Sequence, residues 1–410
     1  MTPTVSFPRE KIKVLLLEGI HESAIAVLER HGYSNVERLG HALTGDELNA
    51  ALAAAHMVGI RSRTQLDSAA LEATRRLMAI GCFCIGTNQV ALDAAAARGV
   101  PVFNAPHSNT RSVAELVIGL SIMLMRGTFE KSAAVHEGRW PKTATGSREV
   151  RGKTLGIVGY GHIGSQVSVL AEGMGMRVIY HDIIDRLPLG NAAPSGTLQA
   201  LLAESDIVTL HVPETKLTTG MISADEFAAM KPGARFINTS RGVVVDQPAL
   251  ADALKARKIA AAAVDVFSVE PKTQDAPLEN PLRGLPNAIL TPHVGGSTEE
   301  AQEKIGVEVA NKLVAFSDRG TTVGAVNFPE LSLAEHEGAH RVLHMHHNVP
   351  GVLRSINDAI ADEGINVLGQ YLQTSGDVGY VVLDIERDAG DVLLPRLRAI
   401  DGTIRSRILY

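Results

Sequence analysis

Cysteine is almost absent: Cys82 and Cys84 are the only two among 410 residues, so no disulfide framework can staple this chain. Long hydrophobic runs are missing too. The longest apolar stretch, residues 116–125, contains Gly119 and Ser121 and is too short to span a bilayer. There is no excess of positive charge: 39 Lys and Arg face 45 Asp and Glu, a formal net charge of −6. That balance argues against bulk attraction to nucleic acid or to an anionic membrane. The start of the chain carries no basic-then-apolar leader pattern, and a cytoplasmic protein is expected. Internal repeats and low-complexity tracts are also lacking. What remains is 45% hydrophobic and 20% charged residues, enough for a sizeable core, in a length that suits two or three domains.

Apolar runs and helical periods alternate. Strands are expected at 13–17, 57–60, 77–80 and 100–103, with helices at 21–31 and 92–98, then a long apolar helix over 110–126. A second series begins at 151, with strands at 154–158, 177–180, 207–211, 235–239, 262–266 and 288–291 and a helix at 248–257. Such alternation implies parallel pairing with right-handed crossovers, hence two doubly wound α/β domains, the first flavodoxin-like and the second of Rossmann type. A capping box at Ser297-Thr-Glu-Glu300 opens a helix running to about 316, which can carry the chain back to the first domain. Residues 321–329 read as a linker. Beyond them a strand at 341–347, a helix at 352–363, strands at 365–373 and 380–385, another helix and a last strand ending at Tyr410 give βαββαβ, a small ferredoxin-like domain.

Gly159-Tyr-Gly161-His-Ile-Gly164 follows a buried strand and opens a helix. In that context Gly159 permits a tight turn, Gly161 lets the backbone approach a pyrophosphate, and Gly164 lets helix pack on strand. Asp182, ending the next strand, can accept hydrogen bonds from ribose hydroxyls and would repel a 2′-phosphate, which favours NAD over NADP. Arg241, Glu270 and His293 each lie just past the carboxyl end of a strand of the same sheet. His titrates near neutrality and suits the proton of an alcohol, Glu can fix its tautomer, and Arg can grip a carboxylate. Singly, each also reads as an ordinary ion pair, loop residue or cap.

Gly81-Cys-Phe-Cys-Ile-Gly-Thr-Asn88, Ser108-Asn-Thr-Arg-Ser-Val-Ala-Glu-Leu116, 155–164, Ser240-Arg-Gly242 and Thr291-Pro-His-Val-Gly-Gly-Ser-Thr298 together resemble the D-2-hydroxyacid dehydrogenase family, most closely its branch with a C-terminal ACT domain. The resemblance spans essentially the whole chain. It implies a substrate domain begun by 1–108, a Rossmann NAD domain over 109–294, a return helix and linker at 295–330, and an ACT regulatory domain at 339–410. It implies His293 as acid/base, Glu270 as its partner and Arg241 facing the substrate's carboxylate and carbonyl. NAD contacts are implied for His162, Ile163, Asp182, Thr239, Ser240, Asp265, Gly295 and Gly296.

Arg61 and Arg63 flank Ser62 at a strand end and could hold a phosphate, or be a solvated pair of charges. The resemblance favours Arg61, Ser62, Asn109 and Gln302 as contacts to 3-phosphoglycerate, with Lys142, beside Trp140, contributing across a subunit interface. Its activity would be oxidation of 3-phosphoglycerate at the head of serine biosynthesis; the alternatives are reduction of 2-oxoglutarate, hydroxypyruvate or glyoxylate, or a non-catalytic NAD or amino-acid sensor. In the C-terminal domain His340, His344, His346 and His347 crowd one strand, either a polar face or, for 344 and 346, a zinc site. No metal is expected. The resemblance instead implies His346, Asn348 and Asn366 as L-serine ligands between paired domains of a homotetramer, although Val349 and His347 depart from the common pattern.

Overall fold

The computed structural model describes residues 7–271, 276–335, 339–386 and 390–409. Its first strands are short and apolar: β1 (Val14–Leu16), β2 (Val36–Arg38), β3 (Met57–Ile60), β4 (Ala79–Cys82) and β5 (Val102–Asn104). They pair in parallel in the order β2-β1-β3-β4-β5, the flavodoxin-type doubly wound arrangement. Helices α1 (Glu22–Arg30), α2 (Gly45–Ala54), α3 (Ser68–Glu72) and α4 (Leu92–Ala97) accompany them. Because side chains alternate along a strand, Val14 and Leu16 bury in one core with α1, while Leu15 and Leu17 join Leu48 and Leu52 of α2 in another. Cys82 and Cys84 go to the second core and Phe83 to the first, so the two thiols share a side. The strand expected at 77–80 sits two residues later.

The middle of the chain, Asn109–Ala301, is a compact unit of its own. It begins with α5 (Thr110–Arg126) and α6 (Thr128–His136). Then β6 (Thr154–Val158), α7 (His162–Gly173), β7 (Arg177–His181), β8 (Ala193–Pro194), α8 (Leu198–Glu204), β9 (Ile207–Leu210), α9 (Ala224–Ala229), β10 (Ala234–Asn238), α10 (Gln247–Lys255), β11 (Ile259–Val264) and β12 (Ala288–Leu290) follow. The sheet is parallel, in the order β12-β11-β10-β9-β6-β7-β8. The order reverses between β6 and β9, which is where open sheets of this kind hold nucleotides at their carboxyl edge. Helix α5 owes its apolar character to this sheet: Val113, Val117, Leu120 and Leu124 bury against Leu155, Ile157 and Ile237. Among the described residues no single helix is long and apolar enough to cross a membrane; α5 and α6 pass such a test only as a pair, bent by 67°.

Helix α11 (Glu299–Arg319) is capped by Thr298, whose Oγ1 accepts the Ala301 amide at 3.2 Å, one residue later than a cap at Ser297. Its residues Ile305, Val309, Leu313 and Phe316, spaced for one helical face, bury with Phe103 in the core of the first sheet. Residues 1–108 and 302–410 accordingly form one compact unit. The linker expected at 321–329 is not a free tether. Asn327 accepts the Val102 amide at 2.8 Å and donates to the carbonyls of Leu92 and Val100, stapling the segment to β5.

The C-terminal strands β13 (His340–His347), β14 (Val367–Ser375), β15 (Val378–Ile385) and β16 (Thr403–Leu409) form an antiparallel sheet ordered β14-β15-β13-β16, covered on one face by α12 (Val352–Asp362) and α13 (Gly390–Arg398). That is the ferredoxin-like topology. Tyr410, the expected end of the last strand, lies outside the described residues. The other face sends Leu343, Met345, Tyr380 and Val382 into the core shared with α11.

Candidate active site

Three glycines shape the turn between β6 and α7, each for its own reason. Gly159 has φ +90°, and a Cβ there would stand 2.6 Å from the His211 carbonyl oxygen. A Cβ on Gly164 would meet the Gly159 oxygen at 2.2 Å. A Cβ on Gly161 would meet nothing within 4 Å. The first and third glycines are therefore demanded by the protein's own packing, while the second faces open space where a ligand's phosphates can approach. Helix α7 has no side-chain cap at Gly161, so its N-terminus, with the partial positive charge of its first turn, lies at this edge.

At the tip of β7, Asp182 accepts the Tyr160 amide at 2.8 Å and the Ile184 amide at 3.0 Å, which fixes its carboxylate beside the glycine turn. Thr239 and Ser240, past β10, are buried, and Thr239 Oγ1 has no hydrogen-bond partner. An orphaned buried hydroxyl, an uncapped helix start and a fixed carboxylate at one sheet edge form a donor and acceptor set that fits a dinucleotide.

The loop after β10 is folded by Asn238. Its Oδ1 accepts from both the amide (3.0 Å) and the hydroxyl (2.8 Å) of Ser240, and its Nδ2 donates to the Arg241 carbonyl at 3.1 Å. Asp265 does the same for the loop after β12. It accepts from Thr291 Oγ1 (2.6 Å), the Val294 amide (2.9 Å) and the Gly295 amide (2.8 Å), while its backbone oxygen takes the His293 amide at 2.8 Å. These bonds hold His293 at φ +54°, a left-handed conformation costly for a residue with a side chain. A Cβ on Gly296 would stand 2.2 Å from Asn109 Nδ2, so the loop closes against the start of α5.

His293 Nδ1 lies 3.0 Å from both Glu270 oxygens, both residues being partly open to solvent. The hydrogen bond to Glu270, with its charge and that of Asp265, raises the His293 pKa against burial and the Arg241 charge, which oppose it. Burial pushes the Glu270 carboxyl up, but the hydrogen bond and charge of His293, the Phe267 amide and Arg241 outweigh it and leave the value below normal. Arg241 thus acts electrostatically on both members of the pair. The imidazole keeps Nε2 for a substrate, in a tautomer set by Glu270. His211, at the end of β9, is the contrasting case: burial drops its pKa to about 3, so it stays neutral and bonds Thr209.

Of the sequence-derived site residues, the middle unit brings together Arg241, Glu270, His293, Asp265, Asn109, Gly295 and Gly296, with the glycine turn on the same edge. Arg61 and Ser62 follow β3 and Gln302 lies on α11, all in the other unit. Lys142 is exposed and Trp140 is 78% exposed. The roles of Asn238 and Gly242 were not foreseen; an Asn two residues before the Ser-Arg-Gly was the available signal.

In the C-terminal domain His346 is buried against Gly379, its Nδ1 bonded to the His347 carbonyl. Asn348 donates to the Gly376 carbonyl and Asn366 to Glu386. His346 aligns with Gly379 and, through it, Thr374, eight residues along β14 from Asn366. At the rise of a strand that is on the order of 25 Å, so one chain does not gather the three residues expected to bind an effector at one point. His344 bonds Thr403 Oγ1 and burial lowers its pKa to about 4. Among the described residues no group of three or more His, Cys, Asp or Glu is arranged to hold a metal.

This fold and site define a nicotinamide-dependent dehydrogenase. Residues 118–295 match the NAD binding domain of D-isomer specific 2-hydroxyacid dehydrogenases, and residues 342–405 match the AHAS small subunit-like ACT domain. Over all 410 residues the chain is 54% identical to D-3-phosphoglycerate dehydrogenase of Haemophilus influenzae, covering 100% of both chains. It is also 54% identical to that of Escherichia coli K12, covering 99% of each. D-lactate dehydrogenase from Aquifex aeolicus, solved with NAD and lactic acid, is 27% identical with a TM-score of 0.65, over 74% of this chain and 95% of that one. The chain belongs to the D-3-phosphoglycerate dehydrogenase family.

Proposed function

We propose that the chain oxidises 3-phospho-D-glycerate to 3-phosphohydroxypyruvate with NAD, the first step of L-serine biosynthesis. The observation that carries this reading is the Glu270–His293 pair on the carboxyl edge of the dinucleotide sheet, in a chain alike over its full length to such enzymes. Gly161, the start of α7, Asp182 and Thr239 are the residues that would hold NAD, which supplies the hydride acceptor when bound. His293 Nε2 takes the proton of the substrate's C2 hydroxyl as that carbon becomes a carbonyl, and Glu270 stabilises the imidazolium that results. Arg241 engages the carboxylate and the developing carbonyl oxygen. Arg61 and Ser62, with Asn109 and Gln302, serve as further substrate contacts, Arg61 and Ser62 toward the phosphate, and Lys142 contributes from a neighbouring subunit.

The ACT match supports an amino-acid effector, which we take to be L-serine. The separation of His346 and Asn348 from Asn366 favours a site shared by two copies, in a cytoplasmic homotetramer. The test is NADH formation from 3-phosphoglycerate, with and without L-serine. Turnover that serine suppresses supports both readings; no turnover with saturating NAD refutes the enzymatic one.

A further inference from the structure

The loop after β3 carries Arg61, Ser62 and Arg63, and a carboxylate braces it from beneath. Glu18, two residues past β1, is only 9% exposed. Its Oε1 accepts the amides of Arg61 (3.2 Å) and Thr64 (2.9 Å), and its Oε2 accepts the Arg63 amide (3.0 Å). The Arg61 carbonyl is held separately. Gln89 Nε2 donates to it at 2.6 Å and also reaches the Gly86 carbonyl at 3.1 Å. Both polar backbone atoms of Arg61 are therefore fixed by side chains from two other loops.

Two observations set Glu18 apart from a routinely satisfied core residue. Among the described residues only Glu18, Arg257 and His293 combine a side chain with a positive φ. Arg257 closes a helix, whereas Glu18 (φ +61°) and His293 both follow strand ends, and strained backbone persists where the surroundings over-determine it. Secondly, three amides of one loop converge on two oxygens. A neutral amide side chain offers one oxygen and would turn an NH2 against the third donor.

We propose that Glu18 is a positioning residue for phosphate recognition. By consuming the amides at 61, 63 and 64 it removes them as anion donors and freezes the loop, so that the phosphate is read by the side chains of Arg61 and Ser62. The proposal rests on the substrate reading above and adds to it the device that aims those side chains.

The test compares wild type with Glu18→Gln, in 3-phosphoglycerate oxidation and in reduction of phosphohydroxypyruvate against hydroxypyruvate, which lacks the phosphate. The expected result is a KM for 3-phosphoglycerate raised about tenfold, with kcat and NADH affinity nearly unchanged. The preference for phosphohydroxypyruvate over hydroxypyruvate falls by a similar factor. An unchanged KM, or an equal loss on both oxo acids, overturns the proposal. If Glu18→Gln does not fold, Gln89→Leu is measured in the same way, and absence of the selective KM rise counts equally against it. An inactive wild type sinks the substrate reading and this proposal together; an active wild type with an insensitive variant sinks this proposal alone.

Discussion

Gly242 lies so close to Phe267 that a Cβ on it would stand 2.0 Å from the Phe267 carbonyl carbon. This contact joins the loop of Arg241 to the loop of Glu270. Backbone on the far side cannot swing away as a side chain would, so Gly242→Ala must push the two loops apart. The expected cost is about 1–3 kcal/mol of stability. A fall in kcat should accompany it while NADH affinity holds. Thermal unfolding and steady-state kinetics on one preparation check both, and a variant with normal kcat would show that the loop spacing does not matter.

The raised His293 pKa carries a definite sign. Oxidation needs the neutral imidazole, and Glu270 stabilises the imidazolium, so the reaction should climb with pH through a value above that of ordinary histidine. In Glu270→Gln the stabilising charge is gone, and the climb should move to lower pH with a reduced plateau. Reduction needs the imidazolium and should weaken in the same variant at neutral pH. His293→Ala should lose roughly 10²–10⁴ in kcat yet still bind NADH. The pH profiles of kcat/KM in both directions are the measurement; an unshifted profile in Glu270→Gln would separate the carboxylate from the proton's fate.

Much of this was legible from the sequence because the signals were periodic or steric. The strands at 57–60 and 154–158 and the helix at 110–126 fall where apolar runs put them. The elements that escaped are those with weak local patterns. β2 is Val-Glu-Arg at a sheet edge, with little to bury, while α2 buries only Leu48 and Leu52 and the five-residue α3 only Ala70 and Leu71. Site legibility divides the same way. Arg241, Glu270 and His293 show themselves by residue type and strand-end placement. Asn238 and the loop-organising part of Asp265 do not, because their work is done by hydrogen bonds to backbone groups that only the fold brings near. The expected effector residues are a third case: strand register, not residue type, separates His346 from Asn366.

The glycine turn allows two substitutions to be told apart. Gly164→Ala forces a methyl into the Gly159 carbonyl and should destabilise by about 1–3 kcal/mol. Gly161→Val places its Cβ where no protein atom lies within 4 Å, so its melting temperature should change little while the KM for NAD rises by about tenfold or more through obstruction of the phosphates. If Gly161→Val bound NAD normally, the open space beside that residue would not be where the pyrophosphate lies.

The effector site makes the most demanding test, because it concerns two chains at once. Along the sheet, His346 and Asn366 of one chain stand too far apart to share a small amino acid, so the proposed serine site would take His346 and Asn348 from one copy and Asn366 from another. His346→Ala and Asn366→Ala should each abolish serine inhibition while leaving kcat and KM near wild type, since both residues lie in the C-terminal ferredoxin-like domain and neither is among the proposed substrate or NAD contacts. Mixing the two variants after dissociation and reassembly gives pairs in which one site carries both substitutions and the other carries none. Such hybrids should regain part of the inhibition and bind serine at about half the wild-type stoichiometry by calorimetry. Hybrids as insensitive as their parents would place the effector within a single chain, or nowhere in this domain.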